Sequence, residues 1–184
     1  VGHNWFYGII GTNERKHPWM DEGINSYYEQ RYMQNKYPEH NILFESIPDF
    51  IKKILNINNY KTSETYRQLI NINAHREKDQ PIELSSEKYI VDNYWGIVYT
   101  KASLVFRYLA SYLGQELFDK CMQEYFKSWK FKHPTPEDLK LIFEKHTDKN
   151  LDWFFYDLIQ TTKKIDYTIK DIKDNQDDFR ITIK

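Results

Sequence analysis

The residues that matter first for chemistry are His3 and Glu22, with eighteen residues, Asn4 through Asp21, between them. An imidazole and a carboxylate are two of the three protein groups that hold a catalytic zinc while a fourth position stays open. One way to supply the imidazoles is an H-E-x-x-H helix, which sets two His at i and i+4 on one face with the Glu between them as general base. This chain opens Val1-Gly2-His3. His3 therefore corresponds to the last letter of such a motif, and the first His and the Glu are expected to precede Val1. The opening residue is Val and not Met, so the chain reads as starting inside something longer. The third ligand of such a site comes from a following helix. Glu22, in Trp19-Met20-Asp21-Glu22-Gly23, stands at the start of one.

Taken alone, each residue also has an ordinary reading. His3 can be a helical histidine hydrogen-bonded at the edge of a core, and Glu22 a first-turn acid that complements the helix dipole. Glu29 lies two helical turns beyond Glu22 on the same face. It either hydrogen-bonds a metal ligand from behind or is a satisfied polar residue. His17, before Pro18, reads as a loop residue. His40, His75, His133 and His146 show no paired spacing and receive no role. Tyr94 reads as an ordinary aromatic contact with a lesser claim to a cleft wall. Lys163-Lys164 reads as a solvated helix end.

The elements that must position these residues can be read from pattern. Residues 2–11 look like the tail of a helix stopped at Gly8 or Gly11, and Thr12 to Pro18 is a loop. From about Trp19 to Lys36, Ile24, Tyr27, Tyr28 and Tyr32 recur at helical spacing, and Pro38 ends the run. Short helices are expected near 48–57 and 62–73, followed by an irregular stretch over 74–92. Asn93 to Leu113 reads as one long helix ending at Gly114, and 115–130 as another. Thr135-Pro136-Glu137-Asp138 combines a cap residue, proline at the first helical position and first-turn acids. That helix should run to about His146, and Asn150 should cap a further one over 151–162. The period then changes to two, through Ile165, Tyr167 and Ile169 and again through Phe179, Ile181 and Ile183, around a turn at 174–178. Two strands alone are marginal in water. Residues 164–184 are therefore either the start of a β domain or a hairpin docked on the helical domain, residues 1–163.

Composition narrows the classes. The 26 Lys and Arg balance 27 Asp and Glu to a net charge of −1, which favours neither nucleic acid nor an anionic membrane as partner. The hydrophobic fraction is 40%, and 15 Tyr and 5 Trp supply much of it. Such residues combine large apolar surfaces with polar handles and suit helices packed around a polar cleft. A single cysteine, Cys121, excludes an internal disulfide and a Cys-rich metal site. No stretch approaches the ~20 apolar residues of a membrane span.

The segment His3-Asn4-Trp5-Phe6-Tyr7-Gly8, the gap, and then Glu22-Gly23-Ile24-Asn25-Ser26-Tyr27-Tyr28-Glu29 together resemble the aminopeptidase N family of zinc metallopeptidases. Many of its members have Gly directly after the Phe, where this chain has Tyr7. Val98-Tyr99-Thr100-Lys101-Ala102 is similar to the family's Tyr-x-Lys-Gly segment, with Ala102 in place of Gly. Thr135 to Asp138 and Asn150 to Phe155 look like the end of its helical catalytic lobe, and Asp166 to Ile169 like the entry to its β domain.

The resemblance implies a mainly α fold: the helical lower lobe of a thermolysin-like peptidase, followed by the first hairpin of a β domain. It implies one Zn2+ held by His3, Glu22 and a preceding His, and Tyr99 as donor to the oxyanion. The partner it implies is a peptide with a free N-terminus, gripped through a Gly-x-Met-Glu-Asn stretch expected before Val1. Two other classes stay open: a family member without chemistry that serves as a protein scaffold, and a plain helical interaction domain. Localisation and oligomeric state are not legible.

Overall fold

The computed structural model describes residues 2–37, 47–54, 79–163, 168–174 and 179–183. The chain is mainly helical. Helix α1 (Pro18–Lys36) starts with proline at its first position, where the missing N–H costs nothing. It buries Trp19, Met20, Gly23, Ile24 and Tyr27 along one side. Helix α2 (Asp49–Ile54) falls within the expected 48–57; the expected helix at 62–73 lies outside the described residues.

The long helix expected from Asn93 has a more varied backbone. It begins as α3 (Val91–Tyr94), widens into a π-helical segment over Trp95–Lys101 and returns to α geometry as α4 (Ala102–Leu113). Gly114 ends it with φ of 84°, a conformation that costs glycine little. Helix α5 (Gln115–Trp129) follows at once. Helix α6 (Pro136–Thr147) carries the expected cap in full: Thr135 and Asp138 bond each other's backbone as a capping box. After α6 the chain departs from expectation. The expected α-helix over 151–162 is a π-helical segment over Trp153–Ile159. The Asn150 side chain accepts from the Asp152 amide, a local turn ahead of the segment; the cap position itself is Asp152 and not Asn150 as expected. The wider turn beds Phe154, Phe155 and Ile159 in the core.

The start of the chain also needs correction. It is not a helix tail running to a glycine stop. A 3-10 turn covers Gly2–Asn4, and helical bonding breaks at Tyr7, whose φ is 91°. The chain then folds back, with bridges from Ile10 to Phe6 and to Lys132.

One core joins these helices. Trp19, Ile24, Phe106, Leu109, Phe118, Leu139, Phe143 and Phe154 are fully buried. Phe106 touches both Trp19 and Phe154, and Phe118 meets Phe143. A bidentate pair from Arg31 to Asp119 ties α1 to α5. Strands β1 (Ile169–Asp174) and β2 (Phe179–Ile183) form an antiparallel hairpin. Ile169, Ile172, Ile181 and Ile183 on it are all more than half exposed. Ile165 and Tyr167 lie outside the described residues. Among the described residues no helix is long and apolar enough to cross a membrane.

Candidate metal centre

The first turn of α1 and the 3-10 turn at Gly2–Asn4 meet. Nε2 of His3 lies 3.0 Å from Oε2 of Glu22, and Nδ1 of the same ring lies 3.0 Å from Oδ1 of Asp21. Asp21 is almost fully buried. Burial pushes its carboxyl up to about 6, against the pull of His3 and with a further push from Glu22. Partial burial lowers the pKa of His3, but the charges of Asp21 and Glu22 outweigh it and the net shift is upward.

The ring's hydrogen bonding sets its chemistry. A carboxylate can only accept and each ring nitrogen faces one at 3.0 Å, so neutral His3 can donate to only one of them; in one of its two tautomers the proton is on Nδ1, facing Asp21. Nε2 is then a bare lone pair. Consistent with that tautomer, the Asn25 amide nitrogen approaches Nε2 at 3.4 Å. Oε2 of Glu22 is buried and accepts no hydrogen bond, despite its closeness to Nε2. In that tautomer two lone pairs face one another across 3.0 Å, an arrangement that a proton or a shared metal cation resolves. Two ligands of a tetrahedral zinc stand about 3.3 Å apart when their bonds are about 2.0–2.1 Å. The spacing of His3 and Glu22 and the orphaned oxygen therefore fit two positions of such a site. Among the described residues no group of three or more His, Cys, Asp or Glu could hold a metal.

Tyr99 joins the same cluster. Burial, then its hydrogen bond with the Glu22 carboxylate, raises its pKa well above the ordinary phenol value, so the proton stays on the hydroxyl. The approach of α1 to the π-helical segment makes this contact. A Cβ on Gly23 would lie 2.5 Å from Cβ of Ala102 and 3.0 Å from the carbonyl oxygen of Val98. Small residues on both sides thus let Glu22 and Tyr99 meet. Lys101 fixes the end of the segment, reaching Oδ1 of Asp79 at 2.8 Å and the Gln80 carbonyl at 3.0 Å. The Trp95 ring stacks on Tyr99 at 4.5 Å, and Tyr94 stands edge-on at 6.3 Å.

His3, Glu22 and Tyr99 are therefore brought together. Glu29 is not. Along α1 the rise of 1.5 Å per residue carries it about 10 Å from Glu22. It is exposed, and no hydrogen bond joins it to the cluster among the described residues. His17 is more than a loop residue. Its ring and the Trp19 indole both bond the carboxylate of Glu83, which pins the N-terminus of α1 and so the approach of Glu22. Reasoning from sequence missed Asp21 and Glu83. Asp21 sat beside Glu22 in plain view, and a buried acid in a first helical turn is a signal. Glu83 gave none, because its partners lie more than sixty residues away in sequence.

Comparison with known proteins places this arrangement. The model of the Peptidase family M1 domain matches residues 1–158. Human aminopeptidase Q is 24% identical over 95% of this chain and 16% of its own length. Rice (Oryza sativa subsp. japonica) aminopeptidase M1-D is 27% identical over 94% of this chain and 18% of its own length. The chain thus spans less than a fifth of these relatives. Among solved structures, an M1 zinc metallopeptidase mutant from Deinococcus radiodurans, bound to a Tyr-Ser-Ala substrate, superposes with a TM-score of 0.64. That match has 12% identity and covers 90% of this chain and 32% of the other. The helices are those of an M1 peptidase's helical lobe, with a β-hairpin after them, and the chain belongs to peptidase family M1.

Proposed function

We propose that these residues are part of a zinc aminopeptidase that removes N-terminal residues from peptides. The observation carrying this reading is the pairing of His3 Nε2 with the orphaned, buried Oε2 of Glu22. His3 and Glu22 would hold the metal, together with a histidine that is not among the 184 residues. When bound, zinc supplies Lewis acidity toward the scissile carbonyl and toward water.

The chain's own groups do the rest. Asp21 holds the His3 ring in one tautomer. Tyr99 keeps its proton and can donate to the oxygen on which negative charge develops, a contact that strengthens in the transition state. On this reading the general base is also outside residues 1–184, so the chain alone should not turn over substrate. The hairpin from Ile169 would open a following β domain.

The names of the relatives support peptide substrates with a free N-terminus. A scaffold without chemistry is disfavoured, because His3 and Glu22 are in contact and Tyr99 is present, its pKa raised in part by Glu22. The test is to assay the intact protein and the 184-residue chain side by side on several amino-acid anilides, with zinc and with a chelator. Zinc-dependent turnover by the intact protein alone is expected. An intact, zinc-loaded protein that turned over no anilide or peptide would overturn the proposal.

A further inference from the structure

The π-helical segment carries a second aromatic whose placement the chemistry above does not use. Trp95 is 67% exposed. An indole so open to water is unusual in a soluble fold, where tryptophan is highly buried on average. One face of this indole is nonetheless engaged, because it lies nearly parallel to Tyr99 at 23° with ring centroids 4.5 Å apart. Trp95 and Tyr99 stand four residues apart, about one turn, and π turns inside helices recur at functional sites. Tyr94 stands perpendicular to the indole at 89° and closes one side. Val91, at the start of α3, and Ile90, the extended residue before it, are exposed as well, at 85% and 54%. The exposed indole stacked on Tyr99 thus lies in a stretch that leaves several apolar side chains open to water.

We propose that Trp95 is a specificity-determining residue, whose free surface takes an apolar, preferentially aromatic, side chain next to the scissile bond of the peptide. This rests on the aminopeptidase reading of the same site. A carbonyl oxygen that accepts from the Tyr99 hydroxyl brings the flanking side chains of the substrate within reach of the ring stacked on Tyr99. An indole offers such a side chain a large, rigid contact at little entropic cost and favours aromatic partners. It offers no gain to a glycine or an alanine.

The experiment measures kcat and KM of the intact enzyme on two dipeptide series. One varies the residue before the scissile bond and the other the residue after it, each with Gly, Ala, Leu and Phe. Three proteins are compared: wild type, Trp95→Phe and Trp95→Ala. In one of the two series, Trp95→Ala should raise KM for the Phe and Leu substrates about three- to tenfold, as expected for losing an aromatic contact. The Gly and Ala substrates should change less than twofold, and Trp95→Phe should restore most of the preference. A uniform fall in kcat across both series would overturn the proposal, since Trp95 would then only brace Tyr99. Unchanged constants on every substrate would overturn it equally. These failures are separable from failure of the underlying reading, which would show as a wild-type enzyme inactive on both series.

Discussion

Nε2 of His3 stands 3.0 Å from Oε2 of Glu22, and that buried oxygen accepts no hydrogen bond. In the metal-free protein this contact is a local cost, since an unsatisfied buried acceptor loses roughly 1–3 kcal/mol. A glutamine at this position presents an amide N–H toward Nε2 while its carbonyl still accepts from Tyr99. Glu22→Gln should therefore leave the thermal midpoint of the metal-free protein unchanged or higher, while zinc content falls steeply. Elemental analysis and a melting curve on the same sample check both. Full zinc occupancy in the folded variant would remove Glu22 from the ligand set.

Tyr99 offers a contrasting case, because its phenol is proposed to act on the transition state and not on the metal. Tyr99→Phe keeps the ring and its stack on Trp95 but deletes the donor. The kcat of the intact enzyme should fall on the order of 10²–10³, as for other oxyanion donors. KM and zinc content should change little. A Phe variant with near-normal kcat would show that the phenol only packs.

Asp21 contributes one hydrogen bond to the ring that carries the proposed ligand nitrogen. Groups that orient a metal-bound imidazole from behind are worth about 10–100-fold in metal affinity. Asp21→Ala should weaken zinc binding by about that factor in a chelator competition. Asp21→Asn retains an acceptor oxygen and should lose less. Equal affinity of the Ala variant and the wild type would show that the Asp21 contact is incidental.

Which features could be read in advance follows from how local their causes are. The start of α6 was legible because the Thr135 to Asp138 box acts within one turn, and α1 because Ile24, Tyr27, Tyr28 and Tyr32 recur at helical spacing, although Pro18, expected in the loop, is its first residue. The nearness of His3 and Glu22 was legible through the resemblance of residues 3–29 to the family, since spacing alone left both with ordinary readings. The two π-helical segments were not, since over seven residues a slightly wider turn leaves the same apolar pattern as an α-helix. Their geometry is set by packing, as where Gly23 meets Ala102. The double bond of Glu83 to His17 and Trp19 was equally hidden. It joins residues far apart in sequence and depends on Glu83 being held by its own amide at the Ile159 carbonyl.

Tyr7 is a local feature that pattern reading did not mark, since it put the stop at Gly8 or Gly11. Its φ of 91° lies where side chains other than glycine are disfavoured, by about 1–2 kcal/mol. This chain makes the bend with a tyrosine. Tyr7→Gly relieves the strain but makes the unfolded chain freer, at roughly 0.5–1 kcal/mol. Tyr7→Ala keeps the strain and removes the ring. Comparing the two isolates the backbone: the Gly variant should be more stable than the Ala variant by up to about 1 kcal/mol, read by urea denaturation. An Ala variant as stable as the Gly variant would show that the bend at Tyr7 is unstrained.

The contact between α1 and the segment bearing Tyr99 gives the sharpest test of how the site is assembled. A Cβ added at Gly23 would come within 2.5 Å of the Ala102 Cβ, closer than carbon atoms approach. Neither atom belongs to a flexible side chain, so relief requires the helices to part. Glu22 is next to Gly23, and Tyr99 lies one turn before Ala102, so parting them lengthens the Tyr99–Glu22 contact directly. Gly23→Ala should destabilise the protein by about 1–3 kcal/mol, as overpacking does, and should lower kcat as well. Ala102→Gly removes the opposing methyl at the cost of roughly 1 kcal/mol of helix propensity. In the double variant the methyl has only crossed from one helix to the other. Its 3.0 Å approach to the Val98 carbonyl remains, so rescue should be partial. The two substitutions should therefore be non-additive, with the double variant more stable and more active than Gly23→Ala alone. Strict additivity in both stability and kcat would mean that this close approach does not position Tyr99 against Glu22.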